Sequence, residues 1–583
     1  MKIPSYIKML VLLCICFFIL VNGYSARADE VIAIKGGKIF TVTKGILEDG
    51  TVILKNGLIE AVGKDIPIPA GAKIIEAKDL YVYPGLIDSH STIGISEIKP
   101  KAEEVPPSGQ PIEEREKIEP LNADKFVIDS LNPKAPNIST ARNLGITTTL
   151  SALAQGVFTG QSAIINLAGE TPGEMLLKSP AGINLEFNML RGAYPSTLMG
   201  VLAFIRQTFI DADYYQKEWE YYNKYKKGIR RPVYNKPLES LQSALNRKMP
   251  IIFSVNKEND IKRSIKIAKE FNLNYLLSGV TEGWRVLDLL KKEKRPVLLS
   301  LNFPEPKDTT GYSFLLKVDL PIEKEEKPKE EKKPSIKKEA KEEKKEEEKK
   351  EDEEIWKLIY GNAASLHKAG IKFAFTGYGL KQYGDIMKNV SKAIENGLPA
   401  EEALKAFTIY PAEIFGISDQ VGSIEKGKIA NIVVTKGELF QKDTTLKYLF
   451  IDGKEIEVKE AVKKEGIKPP TVDVTGTWNV SIMSPGGEMS ATMTLTQSGS
   501  DVSGEFKSQM GITQISNGVV SGNEISFSIL IPTTDPPMEV FFSGKVEGNS
   551  ITGTIDLGPM GTAEWKATRP GNLNLLFESA GNN

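Results

Sequence analysis

At 583 residues, of which 41% are hydrophobic, the chain exceeds what one core supports and carries material for two or three packed domains. Its formal charge is −1, from 74 basic and 75 acidic residues, which excludes the cationic surplus of a nucleic-acid-binding protein. Both cysteines, Cys14 and Cys16, lie in the first apolar stretch.

Lys2 and Lys8 accompany an apolar run from Met9 to Val21, and Ala26-Arg27-Ala28 supplies a small-x-small site. This is the layout of a secretory signal peptide over residues 1–28. The run is short for a membrane span, and an uncleaved anchor is the competing reading. Cys14 follows Leu12-Leu13 and lacks the small residues of a lipoprotein site. Cleavage after Ala28 removes three basic residues (Lys2, Lys8, Arg27) and no acidic one, taking the charge from −1 to −4. It also removes every cysteine, and with them any disulfide, thiolate metal site or cysteine nucleophile. The expected location is a bacterial periplasm or the cell exterior, with no stable membrane span after cleavage.

From Val31, short β-rich runs alternate with turns such as Lys55-Asn56-Gly57, a hairpin signal. A similar pattern returns at Ile429–Val434 and Leu446–Lys454. Residues 29–83 and 418–460 are therefore expected to build one composite β-sandwich from both ends of a longer middle. Residues 84–417 alternate strand-like runs (251–255, 274–278, 296–301, 373–377) with helix-like ones. That predicts a parallel sheet long enough for a (β/α)8 TIM-like barrel, with a doubly wound open sheet as its competitor. Residues 323–354 are almost wholly Lys and Glu, carry no apolar stripe, and read as a solvated insertion. After Pro469-Pro470, alternation such as Met489, Ala491, Met493, Leu495 and recurrent turn pairs predict a separate all-β domain over 471–583, an antiparallel barrel or sandwich of about seven strands. Its opening Gly476-Thr477-Trp478 is reminiscent of small lipocalin-like modules, with a packed interior the plainer expectation.

The chemistry turns on Tyr83-Pro84-Gly85-Leu86-Ile87-Asp88-Ser89-His90-Ser91-Thr92. It resembles the first barrel strand of the amidohydrolase superfamily, Pro-Gly-Leu-Ile-Asp-x-His-x-His. Gly145–Thr149, Gly160–Ile165, Arg206–Phe209, Thr281–Trp284, Tyr410–Ala412 and Gly422–Lys428 extend the resemblance, which covers 31 to about 458 and points to secreted, imidazolonepropionase-like members. It implies a barrel holding a divalent metal, zinc or a similar ion, at the strand ends.

Carried over residue by residue, the ligand set is largely gone. His90 matches the first histidine, while Thr92 stands at the second. The fifth-strand histidine falls at Ser254 or Asn256, the sixth-strand one at Gly279, and the eighth-strand aspartate at Tyr378. No residue is assigned to the fourth-strand bridging lysine or glutamate. The chain has two histidines in all, and His367 sits at a helix end. A catalytic zinc needs about three protein ligands, so no metal is expected unless the family chemistry survives. Three functions follow: a metal-free pseudoenzyme whose barrel mouth takes a small molecule or an active paralogous amidohydrolase; a remodelled hydrolase of carbon–nitrogen bonds using His90, Asp88 and Glu282; and an interaction protein working through its C-terminal domain. For His90 the plain alternative is a buried, hydrogen-bonded strand residue, and for Glu282 a place in the first turn of the following helix.

Overall fold

The computed structural model describes residues 31–95, 118–190, 193–303, 355–380, 383–458, 468–484, 487–508, 511–531, 538–556 and 562–570. The signal sequence over 1–28 and the charged insertion over 323–354 lie outside them. Two compact units divide in sequence between Lys459 and Glu460.

The first unit opens with β1 (Val31–Phe40), β2 (Ile46–Lys55), β3 (Leu58–Gly63), β4 (Lys73–Glu76) and β5 (Tyr81–Pro84). Asn56 and Gly57, both at positive φ, turn β2 into β3 as the sequence signal requires. There follow β6 (Leu86–Ser91), β7 (Ile146–Ser151), β8 (Phe158–Asn166), β9 (Leu176–Glu186), α1 (Leu198–Lys224), α2 (Lys236–Leu245), β10 (Ile251–Val255), α3 (Glu258–Glu270), β11 (Tyr275–Gly279), α4 (Leu287–Glu293), β12 (Val297–Ser300) and β13 (Phe373–Thr376). The chain then returns to its first sheet with β14 (Ile432–Lys436), β15 (Thr445–Ile451) and β16 (Lys454–Ile456). In that composite sheet β14 lies antiparallel to β5, with Val433 opposite Tyr83, and its order is β16-β15-β14-β5-β1-β2-β3 with β4 beside β1. Ile34, Ile39, Val52, Val82, Ile432 and Val434 share one buried cluster, so neither end of the sequence completes this core alone.

Strands β6 to β13 form a second eight-stranded sheet in sequence order. The strand number matches a (β/α)8 barrel, but the alternation does not. β7–β8 and β8–β9 pair antiparallel, and only β6–β7 and the run from β9 to β13 are parallel. The link over residues 152–157 is far too short for the crossover that two parallel strands need, so the chain folds back as a meander there. Later in the sheet, α3 buries Ile261, Ile265, Ile267 and Ala268 and spaces its neighbouring strands as a crossover helix should. First and last strands are tied together: Ser89 Oγ donates to the Phe375 carbonyl at 2.7 Å and Thr376 Oγ1 to the His90 carbonyl.

Four strands repeat one pattern inside the sheet. Ile252, Leu276, Leu298 and Ala374 belong to a buried apolar cluster, and two residues further along each strand stand Ser254, Ser278, Ser300 and Thr376. Because side chains alternate faces along a strand, an apolar layer is capped by small hydroxyls at the C-terminal strand ends. Between the sheets, Asn431 Nδ2 donates to Thr148 Oγ1 (3.2 Å) and Asn166 Oδ1 (2.9 Å), while its Oδ1 accepts from the Asp452 amide (2.9 Å).

The second unit is a closed antiparallel barrel of β17 (Gly476–Ser484), β18 (Gly487–Ser498), β19 (Asp501–Ser508), β20 (Gly511–Ser521), β21 (Glu524–Ile531), β22 (Met538–Glu547), β23 (Ser550–Asp556) and β24 (Thr562–Thr568). It has one strand more than expected, and β24 closes on β17 with Ala567 opposite Val480. Its interior is filled rather than hollow. Trp478, Phe506, Phe527, Phe542 and Trp565 share one buried cluster, in which Phe527 stacks on Phe542 at 4.7 Å and Trp565 meets Phe542 edge-on at 5.3 Å. Among the described residues no helix is long and apolar enough to cross a membrane. Trp478 is wholly buried, donates from Nε1 to the Val474 carbonyl at 2.8 Å and lies under the Arg569 guanidinium. Trp478→Ala should therefore destabilise this unit by about 3–5 kcal/mol, read as an earlier urea transition.

Candidate functional site

The C-terminal strand ends of the second sheet gather the polar residues. On β6, Asp88, Ser89, His90 and Ser91 are all buried. Register shifts against β7 on either side of Ile87-Asp88 break the regular alternation. Asp88 accepts three hydrogen bonds, from the His90 amide (3.1 Å), the Gly377 amide (3.0 Å) and the Tyr383 hydroxyl (2.7 Å). Gly377 is required for this approach, because a Cβ there would lie 2.3 Å from the Tyr383 ring. Burial pushes the Asp88 carboxyl up to about 6 against the opposing pull of its donors. Burial, and then the neighbouring Asp88, hold the Tyr383 hydroxyl far above its ordinary range.

His90 lies inside a second group. Its Nδ1 sits 2.6 Å from Ser278 Oγ on β11, and its ring stacks on Tyr378 with centroids 4.1 Å apart and planes 2° from parallel. Nε2 is buried without a hydrogen-bond partner among the described residues. The Tyr378 hydroxyl donates to Glu186 at the end of β9, and the other Glu186 oxygen accepts from Asn188 Nδ2 at 2.8 Å. Burial pushes His90 down to about 3, keeping it neutral at physiological pH, and raises both Glu186 and Tyr378 above their usual ranges.

The structure thus brings Asp88, His90 and Tyr378 together and sets Ser254 in register between Glu186 and Ser278. It leaves other expected positions apart. Thr92 is exposed just beyond β6, and Asn256 is exposed just beyond β10. Gly279 has φ +104° and a Cβ there would come within 2.4 Å of Asn256 Oδ1, so the sixth-strand position admits no side chain at all. Glu282 differs from its expected place in the following helix. It precedes a short 3-10 turn at Gly283–Arg285, and its carboxylate instead accepts the Glu258 amide at 2.8 Å, capping α3. Sequence reasoning missed Glu186, Ser278 and Tyr383. A signal for the first two was present, since each stands at the last or second-last position of a buried strand, where interior side chains reach the mouth.

Could these residues hold the divalent metal that the resemblance implies? His90 offers one nitrogen, but its other is held by Ser278 and its face is covered by Tyr378, while Glu186 is committed to Tyr378 and Asn188. Among the described residues no group of three His, Cys, Asp or Glu side chains is placed to bind an ion. The donor set does not fit a catalytic zinc.

Beside this cluster, past the ends of β10, β11 and β12, lies a cavity of about 190 Å³ lined among others by Asn256, Glu282, Trp284, Asn302, Phe303 and Tyr360. Ser300 also lines it and donates to the Tyr378 carbonyl at 3.0 Å, joining cavity to cluster. The Trp284 indole N–H is buried without a partner among the described residues.

Residues 360–456 match the model of the amidohydrolase family. An amidohydrolase from Thermotoga maritima superimposes with a TM-score of 0.56 at 26% identity, over 73% of this chain and all of that one. The chain belongs to the amidohydrolase superfamily. Local similarity includes a dihydroorotase of Trichlorobacter lovleyi, 44% identical over 57 residues, and an adenine deaminase of Listeria monocytogenes, 28% identical over 178. The matched segments cover 10% and 30% of this chain but only 13% and 23% of those relatives.

Two measurements follow for this member of the superfamily. Gly279→Ala should lower stability by about 1–3 kcal/mol in chemical denaturation, since the position combines positive φ with no space for a Cβ. The buried pair should also set opposed pH slopes. Asp88, raised from 3.8 to about 6, contributes stability present at low pH that is lost as pH rises through about 6. His90, lowered from 6.5 to about 3, contributes stability present above 6.5 that is lost as pH falls towards 3. Between roughly pH 4 and 6 the two largely cancel. His90→Gln removes one slope, so the variant should gain on wild type by about 1.4 kcal/mol for each pH unit of acidification, measured by urea unfolding at several pH values in that window.

Proposed function

We propose that this amidohydrolase-superfamily chain is a metal-free binding protein, exported from the cell, that takes a small ring compound at the C-terminal ends of β10, β11 and β12. The observation that carries the reading is the setting of His90: neutral, wholly buried, bonded to Ser278 and covered by Tyr378. Metal-assisted hydrolysis needs an ion that lowers the pKa of a bound water and an open coordination position beside it. Neither is supported by one enclosed imidazole among hydroxyl groups. A remodelled hydrolase would need His90, Asp88 and Glu282 to face one ligand. Asp88 and His90 are enclosed while Glu282 caps a helix, and this favours binding over hydrolysis.

The cavity supports a definite ligand type. Trp284, Phe303 and Tyr360 give the lining its aromatic surface, and Asn256 and Asn302 offer hydrogen bonds. The names of the partial relatives make adenine and dihydroorotate sensible first probes. Export rests on Lys2, Lys8, the apolar run Met9–Val21 and Ala26-Arg27-Ala28.

Elemental analysis after incubation with Zn2+, Mn2+ and Fe2+ tests the metal-free reading. Metal far below one equivalent and an unchanged melting temperature are expected; one equivalent that disappears in His90→Ala would overturn it. Calorimetric titration of the probes should give binding that Trp284→Ala weakens at least about tenfold. N-terminal sequencing of the exported protein should begin at Asp29.

A further inference from the structure

Helix α1 is amphipathic in the wrong sense for a helix with only one buried face. Val201, Ile205, Thr208, Phe209, Ala212 and Tyr215 turn inward and are buried. The outward face of such a helix should be polar. Here it carries Ile210, Tyr214, Tyr221 and Tyr225, the last one residue past the helix, which are 52%, 67%, 59% and 47% exposed. At about 100° per residue these four fall within an arc of about 60°, opposite the buried face. Tyr221 and Tyr225 already touch, with ring centroids 5.1 Å apart. Exposed apolar stripes of this extent mark interaction sites.

We propose that a second copy of this chain docks on this stripe, the two α1 helices running antiparallel about a two-fold axis that passes between Lys217 and Glu218. The spacing of the stripe is the first argument. Its steps along the sequence are four, seven and four residues, a palindrome centred between 217 and 218. An antiparallel pairing centred there sets Ile210 against Tyr225 of the second copy and Tyr214 against its Tyr221, and the two-fold repeats both contacts. Every apolar residue of the stripe then meets another, which a partner of arbitrary shape would not ensure.

Charge gives the second argument. Asp213, Lys217 and Lys224 lie on one flank of the stripe, and Asp213 bonds Lys217 within the helix at 2.6 Å. The two-fold sets Lys224 of each copy level with residue 211 of the other and about 3 Å along the axis from its Asp213 on the same flank, within reach of two symmetry-related ion pairs at the rim. The opposite flank carries Asp211 and Glu218, so the face as a whole has no cationic surplus to draw an anionic lipid surface or a nucleic acid. With roughly 200 Å² per large side chain and about half to two-thirds of each exposed, the stripe offers a few hundred Å² per copy, the apolar centre of an interface that the charged flanks extend.

Sedimentation velocity on the full chain over a concentration series tests this. A reversible dimer is expected, and Tyr214→Glu combined with Tyr221→Glu should leave a monomer with unchanged circular dichroism and melting temperature. Asp213→Lys should weaken the dimer by about tenfold, and Asp213→Lys combined with Lys224→Asp should recover most of that loss. A monomer throughout the series overturns the proposal. So does a dimer indifferent to the tyrosine pair, or a double reversal no better than the single one.

Discussion

The joining of the second sheet's first and last strands depends on a few hydrogen bonds. Ser89 and Thr376 give their hydroxyl protons to carbonyls of the opposing strand, and Asp88 accepts the Gly377 amide. All are buried, so each is made at full strength and would be expensive to leave unmade. The positions of His90, Tyr378 and Tyr383 follow from that seam, because β6 and the segment after β13 present them to one another across it. In this member of the superfamily the strand ends are joined by a lattice of side chains: Ser278 to His90, His90 to Tyr378, Tyr378 to Glu186. A ring stack and a carboxylate span the mouth where the superfamily's ion would bind.

Such a lattice is more than the loss of ligands. Both carboxylates of the site are engaged by the chain's own groups: Glu186 by Tyr378 and Asn188, and Asp88 by three donors. At Gly279 the backbone takes a conformation that suits glycine, with Asn256 where a Cβ would stand. Restoring the site would therefore require several side chains and one stretch of backbone to change together.

Much of this architecture was legible in the sequence, and the gaps have physical causes. The β-rich ends, the strands near 251, 275, 297 and 373, and the family motif around His90 were readable because burial imposes a period on residue choice. Strand direction leaves no such mark. The meander of β7, β8 and β9 shows only in a link too short for a crossover, which the expected uniform β/α alternation does not accommodate. At the site, Asp88, His90 and Tyr378 were found through the motif. Tyr383 was missed because its meeting with Asp88 is made by tertiary packing around Gly377, and nothing near Tyr383 in the chain announces it. Nothing local sets Glu186 apart from other strand-end carboxylates, because its partner Tyr378 lies far away in the sequence. Glu282 was misplaced because the helix it caps precedes it in sequence.

The composite sheet carries a consequence for how the protein comes to exist. β5 cannot pair with β14 until the ribosome has made nearly everything in between, since Tyr83 waits for Val433. During that interval Ile34, Ile39, Val52 and Val82 have no complete core to enter. Folding of the first unit is thus necessarily late, governed by long-range contacts that close slowly and leave sticky strands exposed. Until those last strands arrive, the early ones need shielding from one another and from neighbouring chains.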